Sequence, residues 1–459
     1  MTDRLASFVV ETRAIPVEVL QALNEALIDT LAAGFAGARE PCTSIARQIT
    51  PPCERARGVA VWGHVDVVSP QDATFINGVA GHALDFDDTL ASMRGHSSVT
   101  TVPVALALGE SRRSSGSDVL AALALGLEVA GKLGKAFGHG HYLRGWHSTA
   151  TIGAFAATAV AARLLGHDAA RLRNAWGLAA AQAGGLVRNF GTMAKPFQAG
   201  HAARAGIVSA QLAAAGMTAD INIFDGKNSF LDAYAADGLP LAESVGQLGV
   251  RWEAIDPGLN VKRWPCCYCS HRAIGGLMEI MRDHAIRGDD VESVTVGFPP
   301  GSDEPLIYSD PRSGLEGKFS IEYPLAALLL DARLTPHSFT DEMVSRPAVR
   351  ALMKRIRRTR VQDTKTYSGT VGYTDLDVQT TRGRFQRRID KAPGAREWPM
   401  SVEERREKFL DCSSNVLSLA QAQAWLATAE KVGELADISA LSRLSIPEAA
   451  CATRTKGSR

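Results

Sequence analysis

Residues 118–137 read DVLAALALGLEVAGKLGKAF, and this stretch decides the class of the fold. Alanine and leucine, which dominate it, are strong helix formers. The same composition recurs through residues 117–215, in TAVAARLLG, LRNAWGLAAAQAGGL and HAARAGIVSAQLAAAG. The many alanines and glycines also allow helices to approach one another closely. The sequence therefore predicts a large, tightly packed core of helices.

The chain on either side of this core contains further helical patterns and one change of pattern. Residues 17–37 repeat apolar side chains at helical spacing. VESVTVGF, residues 291–298, alternates as a strand does, and residues 366–390 predict two strands around a Thr-Arg-Gly turn. Helical patterns return in residues 402–412 and 418–430.

These patterns predict a mainly α fold with a smaller α+β domain. We place a helical domain at residues 1–265, completed by C-terminal helices within 400–445, because a short terminal helix pair needs a partner to bury its apolar face. Residues 266–399 form the α+β domain. Residues 446–459, which include the end CATRTKGSR, are expected to be disordered.

The composition excludes several classes of function. Hydrophobic residues make up 46% and charged residues 22% of the 459-residue chain, as in ordinary soluble globular proteins. The net charge of +1 offers no attraction for nucleic acid or an anionic membrane. We expect no apolar run as long as a membrane span, and the N-terminus lacks the apolar core of a signal peptide. Seven cysteines without a disulfide-like spacing favour a reducing cytoplasm.

Polar chemistry is concentrated in residues 82–101, HALDFDDTLASMRGHSSVTT. If the helical pattern before it continues, Asp85 shares a helix face with Asp88 and Thr89. His96 then follows in a loop. A carboxylate cluster facing a loop histidine suits acid/base chemistry, because burial and neighbouring charges push the pKa values of such groups apart. The alternative is a solvated acidic helix end.

The two ends of this stretch also carry expectations. Pro103 is predicted to open the next helix, where a proline at the first turn costs nothing. DFDDT, residues 85–89, fits the DxDxT signature of haloacid-dehalogenase phosphatases. That signature needs a buried apolar strand before its first aspartate, and residues 77–82, NGVAGH, are too polar and glycine-rich for one. The phosphatase interpretation is therefore disfavoured.

The connection at residues 138–153, GHGHYLRGWHSTATIG, carries three histidines. His139 and His141 form a His-x-His pair, and His147 could be a third metal ligand. No nearby acidic residue or cysteine completes a ligand set, so we do not predict a metal. His147 precedes a predicted helix N-terminus, a position that suits anion contact or proton transfer.

A second connection, residues 187–206, contains Lys195 directly before Pro196. A residue before proline is expected to be extended. A lysine held between two helices is well placed to bind a substrate carboxylate. The alternative is an ordinary surface lysine.

The sequence KRWPCCYCSH, residues 262–271, brings three cysteines together at Cys266, Cys267 and Cys269. Three cysteines this close together could be ligands of an iron–sulfur cluster or of zinc. The other cysteines offer no second CxxC pair, so no metal is predicted here either. His271 begins a helix and is the more useful residue. The chain also lacks the glycine-rich nucleotide loops and the GxSxG nucleophile motif.

Taken in order, these motifs resemble the MmgE/PrpD family over nearly the whole chain. The motifs that carry the resemblance are HALDFDDT, GHSSVTTVPVALALGE, GWHSTATIGAFAATA, KPFQAGHAARAG, KRWPCCYCSH and KFSIEYPLAALLLD. The family includes 2-methylcitrate dehydratase, cis-aconitate decarboxylase and iminodisuccinate epimerase. The resemblance implies a helical domain, a smaller α+β lid, a homodimer, a site between the domains, and chemistry without a metal or an organic cofactor.

The resemblance also implies a set of site residues. We expect His96 and His147 to be an acid/base pair that moves a proton at a carbon next to a carboxylate. Lys195 would bind a carboxylate and Asp85 would orient a histidine or the lysine. The predicted substrate-binding residues are Thr89, His271 and Tyr323, with Arg94 as an extra cation.

The substrate is predicted to be a small di- or tricarboxylate, and the reaction a lyase reaction, either dehydration or decarboxylation. Phrases such as SMRGHSS and YSDPRSGLEGKFSIE resemble the epimerase branch instead, which leaves epimerisation as the alternative. A helical scaffold without catalytic activity is the third hypothesis. It is disfavoured because polar groups buried without a ligand would cost several kcal/mol.

Overall fold

Helices make up most of this protein, as the composition predicts. The computed structural model describes residues 1–54, 58–367 and 371–448. Residues 449–459, which hold most of the predicted disordered tail, lie outside the described residues. The helices are α1 (Thr2–Glu11), α2 (Val17–Gly37), α3 (Pro41–Gln48), α4 (Pro70–Ala83), α5 (Ser98–Arg112), α6 (Gly116–Phe137), α7 (His139–Leu143), α8 (Ser148–Leu165), α9 (Ala169–Ala180), α10 (Ala194–Ala214), α11 (Phe230–Tyr234), α12 (Leu241–Gly246), α13 (Tyr268–Asp283), α14 (Gly314–Gly317), α15 (Glu322–Asp331), α16 (Asp341–Ser345), α17 (Pro347–Met353), α18 (Val402–Ser413), α19 (Leu419–Ala429) and α20 (Ser439–Leu444).

Helix α10 lies at the centre of the helical core, where it packs against α4, α5, α8 and α9. Small residues make this packing close: a Cβ atom placed on Gly78 of α4 would lie 2.8 Å from the Cα atom of Gly200 in α10. A larger side chain at that contact would push the two helices apart. Because α4 carries His82 and α10 carries Lys195, the close packing brings these two side chains together.

Helix α8 is apolar enough to resemble a membrane span, which the sequence analysis did not expect. By length and mean hydropathy, Ser148–Leu165 is the one helix among the described residues that could cross a membrane. However, 89% of this stretch is buried inside the protein, where α8 packs against α5, α6, α9 and α10. A helix that is apolar on every side is typical of a helix surrounded by others in a large core.

The smaller part of the protein is built on a four-stranded sheet in the order β6-β5-β7-β8. Strands β5 and β6 are parallel, whereas β7 is antiparallel to β5 and to β8. Helices α13 and α15 pack against this sheet. The strands are β1 (Val59–Ala60), β2 (Val67–Val68), β3 (Thr89–Leu90), β4 (Leu259–Asn260), β5 (Val291–Phe298), β6 (Ile356–Arg360), β7 (Thr374–Thr380) and β8 (Gly383–Ile389).

The sequence patterns predicted three of these four strands. VESVTVGF is β5, and the predicted strand pair around the Thr-Arg-Gly turn is β7 and β8, which pair from Thr380 opposite Gly383. Residues 368–370, within the stretch that predicted this pair, lie outside the described residues. Strand β6, IRRTR, was missed because it is a largely exposed edge strand with little apolar alternation.

The C-terminal helices return to the start of the chain. Both α18 and α19 pack against α2, and α20 packs against α5. This arrangement buries the apolar faces of the terminal helices, including Phe409 and Trp425. The fold is therefore mainly α with a smaller α+β part, while the domain limits at residues 265 and 399 stay predictions.

Two local predictions around the polar stretch are wrong. Helix α4 ends at Ala83, and Asp85 has a left-handed backbone with φ of 52°, so Asp85, Asp88 and Thr89 do not share a helix face. Helix α5 begins at Ser98, which places Pro103 inside it rather than at its start. The hydroxyls of Thr100 and Thr101 both bind the carbonyl of Ser97 and hold this first turn together.

The backbone of Lys195 is also different from the prediction, because it is helical rather than extended. Lys195 is the second residue of α10, and Pro196 is the third. The first four amides of a helix have no partner within the helix, so the missing N–H of Pro196 costs no hydrogen bond. Tertiary packing of α10 has outweighed the extended preference of a residue before proline.

Candidate active site

One cavity brings together most of the predicted site residues. It lies where the loop between α4 and α5 meets the N-termini of α8, α10 and α13. Both the helical and the α+β parts of the chain line it. The lining residues are Asp85, Thr89, Arg94, Gly95, His96, Tyr142, His147, Thr149, Phe190, Lys195, Lys262, Cys267, Tyr268, Cys269, Pro305 and Phe319.

The carboxylate of Asp85 is bound by two ammonium groups. Its Oδ1 atom accepts a hydrogen bond from Lys195 Nζ at 2.7 Å, and its Oδ2 atom lies 2.9 Å from Lys262 Nζ. Lys262 Nζ also donates to the carbonyl oxygen of Asp85 at 2.8 Å. Burial opposes ionisation of Asp85, but the two lysine charges outweigh it and hold the pKa of Asp85 below its usual value. The same pairing raises the pKa of Lys262 despite its burial.

Asp87 lies behind this pair and contacts two histidines. Its Oδ1 atom accepts a hydrogen bond from His82 Nδ1 at 2.9 Å, and its Oδ2 atom lies 2.9 Å from His96 Nδ1, without the alignment of a hydrogen bond. The other ring nitrogen of His82 accepts from Lys195 Nζ at 2.6 Å. His82 therefore links the carboxylate of Asp87 to the ammonium of Lys195. The His96 backbone amide is held by the Thr149 hydroxyl at 3.0 Å, which fixes the loop histidine against the start of α8.

His147 is the N-cap residue of α8, and its imidazole has an assigned direction. Gln198 donates its amide N–H to the carbonyl of Leu186, so the amide oxygen of Gln198 faces His147 and accepts from Nδ1 at 2.6 Å. This network assigns the proton to Nδ1 and leaves Nε2 as a lone-pair atom. Burial, reinforced by the charge of Lys195, lowers the pKa of His147 well below its usual value. The ring is therefore a neutral base at neutral pH.

Two aromatic rings, one from the helical part of the chain and one from the α+β part, cover the reactive groups. The ammonium of Lys195 lies 5.2 Å from the ring centre of Phe190 and 5.6 Å from that of Phe319. Phe190 also packs edge-on against the His147 ring at 4.9 Å. Burial in this setting lowers the pKa of Lys195, and the charge of Asp85 opposes that shift. Such apolar walls lower the local dielectric constant and so strengthen the electrostatic contacts beside them.

Asp88 faces away from this cluster, although it follows Asp87 directly. Its carboxyl accepts a hydrogen bond from the Ser98 hydroxyl at 2.5 Å and is fully buried. Burial, together with the nearby charge of Asp29, raises the pKa of Asp88 to about 8. Asp88 is therefore a neutral structural group at neutral pH, and of the three carboxylates in the DFDD sequence it is Asp85 that lines the cavity.

Two predicted substrate-binding residues do not line the cavity. Tyr323 is fully buried in α15, where its hydroxyl donates to the carbonyl of Ser338. His271 is fully buried in α13 between the rings of Trp264 and Tyr268, with ring centres 5.1 and 5.3 Å away. Burial lowers the pKa of His271 to about 3, so it is a neutral packing residue in this structure. The other predicted residues, Asp85, Thr89, Arg94, His96, His147 and Lys195, do line it.

His82, Asp87 and Lys262 were not among the predicted site residues. His82 and Asp87 stand in the polar stretch, and a five-residue separation across the end of a helix was the one signal that the two could meet. Lys262 lies 177 residues from Asp85 in a loop without periodic pattern. No local signal relates these two positions, because they are brought together by the antiparallel pairing of β3 with β4, which sets Thr89 opposite Asn260.

A metal ion could find ligands in the cluster behind the cavity. Within the described residues, His82, Asp85, Asp87 and His96 place one ligand atom each within 4.8 Å of one another. However, both oxygens of Asp85 and one nitrogen of His82 already face ammonium groups. A divalent cation would have to displace those lysines, so the donor set fits hydrogen bonding better than it fits a metal.

The structure also shows the surroundings of the histidine pair at residues 139–141 and of the three cysteines at residues 266–269. Both ring nitrogens of His141 are engaged, with the carbonyl of Tyr234 at 2.8 Å and the hydroxyl of Thr151 at 2.9 Å. His141 therefore has no free nitrogen for a shared ion with His139. Cys266 Sγ lies 3.3 Å from the Ser270 hydroxyl, while Cys267 and Cys269 line the cavity.

Comparison of the chain with known protein families gives two matches. The model of the MmgE/PrpD N-terminal domain matches residues 3–240, and that of the MmgE/PrpD C-terminal domain matches residues 264–434. The chain belongs to the MmgE/PrpD family. The two matches cover the residues that line the cavity, with the exception of Lys262. The family resemblance seen in the sequence motifs is confirmed.

Similar proteins align with this chain over nearly its whole length. The chain is 29% identical to human cis-aconitate decarboxylase over 442 residues, which cover 93% of this chain and 90% of that protein. It is 28% identical to the mouse cis-aconitate decarboxylase, with 93% and 89% covered. It is 26% identical to a cis-aconitate decarboxylase of Aspergillus terreus, with 94% and 93% covered. These relatives support a lyase-type function for this member of the family.

Proposed function

We propose that this protein is a metal-independent lyase that acts at a carbon next to a carboxylate, with decarboxylation of an unsaturated tricarboxylate as the first candidate reaction. The observation that carries the proposal is the contact of a neutral imidazole and two ammonium groups with one aromatic-walled cavity. His147 is the imidazole, and Lys195 and Lys262 are the ammonium groups. The names of the relatives supply the candidate substrate, cis-aconitate.

The cations of the cavity are suited to hold the carboxylates of the substrate. Arg94 stands in a left-handed turn with φ of 54° at the wall of the cavity. Burial lowers the pKa of its guanidinium, and Asp237 is the carboxylate that opposes this shift. Arg94 can therefore gain a carboxylate partner when substrate binds, while Lys195 and Lys262 are already shared with Asp85. This difference assigns Arg94 to a distal carboxylate of the substrate.

The protonation states of the groups suggest their roles. Burial lowers the pKa values of both His96 and His147, so both are bases at neutral pH and neither is a ready acid. Lys195 is the protonated group that faces the same space. We therefore assign proton removal to the histidines and proton delivery to Lys195, which His82 and Asp87 hold in place.

Decarboxylation in this site would break one carbon–carbon bond and add one proton. The bond between a carboxylate carbon and its neighbour breaks, carbon dioxide leaves, and the electron pair stays on the remaining carbon skeleton. The double bond of the substrate spreads that pair to a second carbon, which takes up a proton. Lys195 supplies the proton, and after product leaves a neutral histidine takes a proton from solvent and returns it to Lys195. The phenylalanine rings keep water from the intermediate.

Epimerisation of a dicarboxylate is the second candidate. A base and an acid that face one cavity can remove a proton from a carbon and return another, with no bond to carbon dioxide or water broken. The extra cation of Arg94 suits the second carboxylate of such a substrate. A non-catalytic scaffold is the remaining alternative, and it is disfavoured because a buried cationic cavity without an anionic ligand is costly.

The homodimeric state and a cytoplasmic location are also part of this proposal. Light scattering coupled to gel filtration measures the first, and a mass of one 48.9 kDa chain would contradict it. Localisation of a fluorescently tagged chain in the source cell measures the second, and export to another compartment would contradict it.

Proton NMR in heavy water tests the reaction. The purified protein, treated with a chelator, is mixed in turn with cis-aconitate, 2-methylcitrate, citrate and iminodisuccinate, and a His147→Ala variant serves as the control. Loss of carbon dioxide with deuterium at one carbon of the product supports the decarboxylase, and a new alkene from a hydroxy acid supports a dehydratase. Exchange at the α-carbon without elimination supports the epimerase. Silence with all four substrates would contradict the proposed function.

A further inference from the structure

Three lysines bind three consecutive carbonyl groups in the loop that carries Asp85. The loop begins directly after α4 ends at Ala83. Each lysine comes from a different and distant part of the chain. The hydrogen bonds run from Lys318 Nζ to Leu84 O at 2.9 Å, from Lys262 Nζ to Asp85 O at 2.8 Å, and from Lys408 Nζ to Phe86 O at 3.0 Å. We name Lys262, Lys318 and Lys408 the lysine clamp.

The loop needs such support because its backbone is strained. Asp85 is left-handed, which a residue with a Cβ atom adopts at a cost. The peptide groups on both sides of Asp85 are neither helical nor in a strand. The Asp85 N–H donates to the carbonyl of His82 at 3.1 Å, but no regular ladder fixes the carbonyl groups of residues 84–86. A rotation of either peptide would turn the Asp85 carboxylate away from Lys195. The three ammonium groups hold the carbonyls in the one arrangement that points the carboxylate at the cavity.

Lys318 binds backbone on both sides of the cavity. Besides Leu84 O, its ammonium donates to the carbonyl of Pro265 at 2.9 Å and lies 4.9 Å from the ring centre of Phe339. Lys318 does not line the cavity. Its contacts therefore tie the loop after α4 to the segment that leads into α13.

Lys408 connects the loop to Lys262. Its ammonium donates to Asp29 Oδ1 at 2.6 Å and to the carbonyl of Lys262 at 2.8 Å, in addition to Phe86 O. One side chain thus holds both the loop that carries Asp85 and the backbone of the lysine that pairs with Asp85. Lys408 does not line the cavity either.

We propose that Lys318 and Lys408 are positioning residues that hold residues 84–86 so that the Asp85 carboxylate faces the substrate. The proposal rests on the proposed function for its activity readout. Both lysines lie within residues 264–434, the stretch matched by the C-terminal family model, whereas the loop belongs to the stretch matched by the N-terminal model. The clamp therefore makes the reactive geometry of one half of the chain depend on the other half.

The test replaces each lysine by methionine, which keeps the apolar stem and removes the ammonium. Lys408→Met leaves Asp29 without its partner, so the double variant Asp29→Asn with Lys408→Met is made in parallel. Lys132→Met is the matched control, because Lys132 is equally buried and binds Glu128, Glu253 and the carbonyl of Arg251, but not residues 84–86. Lys408→Gln, which can still donate one hydrogen bond, is the conservative variant.

Two readouts are taken on the folded protein. Hydrogen exchange, measured by mass spectrometry, reports the peptide that covers residues 84–90 without any need for turnover. We expect faster exchange of this peptide in Lys318→Met and in both Lys408→Met variants. In Lys132→Met, its exchange rate should equal that of the wild type. We expect kcat to fall about a hundredfold with little change in KM, since small misplacements of reactive groups have effects of this order. Lys408→Gln should recover part of both properties.

The outcomes separate the two proposals. Unchanged exchange at residues 84–90, or unchanged kcat with faster exchange, overturns the positioning role. Equal losses of kcat in Lys132→Met also overturn it, because the effect is then a general consequence of removing a buried lysine. Faster exchange in a protein whose wild type turns over none of the candidate substrates upholds the clamp of the loop and contradicts only the proposed function.

Discussion

The protein contains two clusters of buried charges that look alike at the level of single contacts. In the helical core, Lys132 Nζ lies 2.9 Å from Glu128 Oε1 and 2.7 Å from Glu253 Oε1. In the cavity, Lys195 Nζ lies 2.7 Å from Asp85 Oδ1. All these groups are nearly or fully buried. Neither the distance nor the burial of these pairs tells which cluster has a function.

The difference lies in what the charges face. Two carboxylates enclose Lys132, and Glu253 also receives Lys135 and the Ser92 hydroxyl. In the second cluster, Asp85 is likewise shared by two ammonium groups, but Asp85, Lys195 and Lys262 all line the cavity. An anionic ligand in the cavity can therefore reach these ammonium groups, whereas Lys132 does not line it. Buried charge alone marks stability or specificity, whereas charge that lines a cavity marks a candidate site.

The largest effect is expected from the two reactive groups of the cavity. His147→Ala removes the assigned base, and Lys195→Met removes the assigned acid. Each should lower kcat by about a hundred- to ten-thousand-fold, the usual range for a group that transfers protons. Steady-state turnover of the substrate identified by NMR measures this, with circular dichroism as the check on folding. Nearly full turnover in both variants would remove the contrast between the two clusters.

Removing the charge of Lys132 in the helical core should lower stability and leave turnover unchanged. Lys132→Met leaves the carboxylates of Glu128 and Glu253 buried with less compensation, and we expect the free energy of unfolding to fall by about 3–5 kcal/mol. The kcat of the protein that remains folded should match that of the wild type. Urea denaturation and turnover at low temperature measure the two quantities. A large fall in kcat at unchanged stability would mean that the core cluster also takes part in the reaction.

The pH dependence of kcat/KM sharpens the comparison further. Burial lowers the pKa of His147, which must be neutral to act as a base, so activity should be lost on acidification only below 6.5, the usual histidine value. Burial also lowers the pKa of Lys195, which must be protonated to act as an acid, so activity should be lost on the alkaline side below 10.5. A profile from pH 4 to 11 shows both limbs. An acid limb above 6.5 would contradict the assignment of His147.

The smallest effect concerns Asp88, the aspartate of the polar stretch that lies outside the cavity cluster. Its pKa is raised from 3.8 to about 8 in the folded protein, so the folded state stays protonated where the unfolded state ionises. The stability from this neutral carboxyl is complete below pH 3.8 and is lost as the pH rises toward 8.

Asp88→Asn, which cannot ionise, should therefore gain stability over the wild type as the pH rises. We expect a gain of about 1–3 kcal/mol at pH 8 and little difference near pH 4. Thermal melting at both pH values measures it, and Asp29→Asn, a change in the carboxylate that faces Asp88, is the comparison. A constant difference across pH would show that Asp88 does not titrate in this range.

Much of the site could be predicted because several of its residues stand in short, chemically crowded segments. His96 and Asp85 lie in the polar stretch, and His147 and Lys195 lie in the glycine-rich connections between helices. The structure places all four at one cavity, while their roles stay predictions. Tyr323 was expected in the site from its motif, but its side chain points into the core of the α+β part.

Two of the contacts that were missed join residues that are far apart in the sequence. Lys262 pairs with Asp85 across 177 residues, and Lys195 binds His82 across 113. Helical periodicity reports only neighbours within a few positions. The lysine clamp is likewise invisible in the sequence, because its acceptors are backbone carbonyls that every residue possesses.

By itself, the sequence determined the helical class, the strand patterns of the smaller part and the ordered motifs of the MmgE/PrpD family. These features are local, since helix propensity and alternation depend on neighbouring residues. Only the tertiary structure decided which aspartates of DFDD ionise. Asp85 lies between two ammonium groups and loses its proton readily, whereas Asp88 lies near another carboxylate and keeps it. That difference follows from charges brought together through space, and no short segment of sequence contains them.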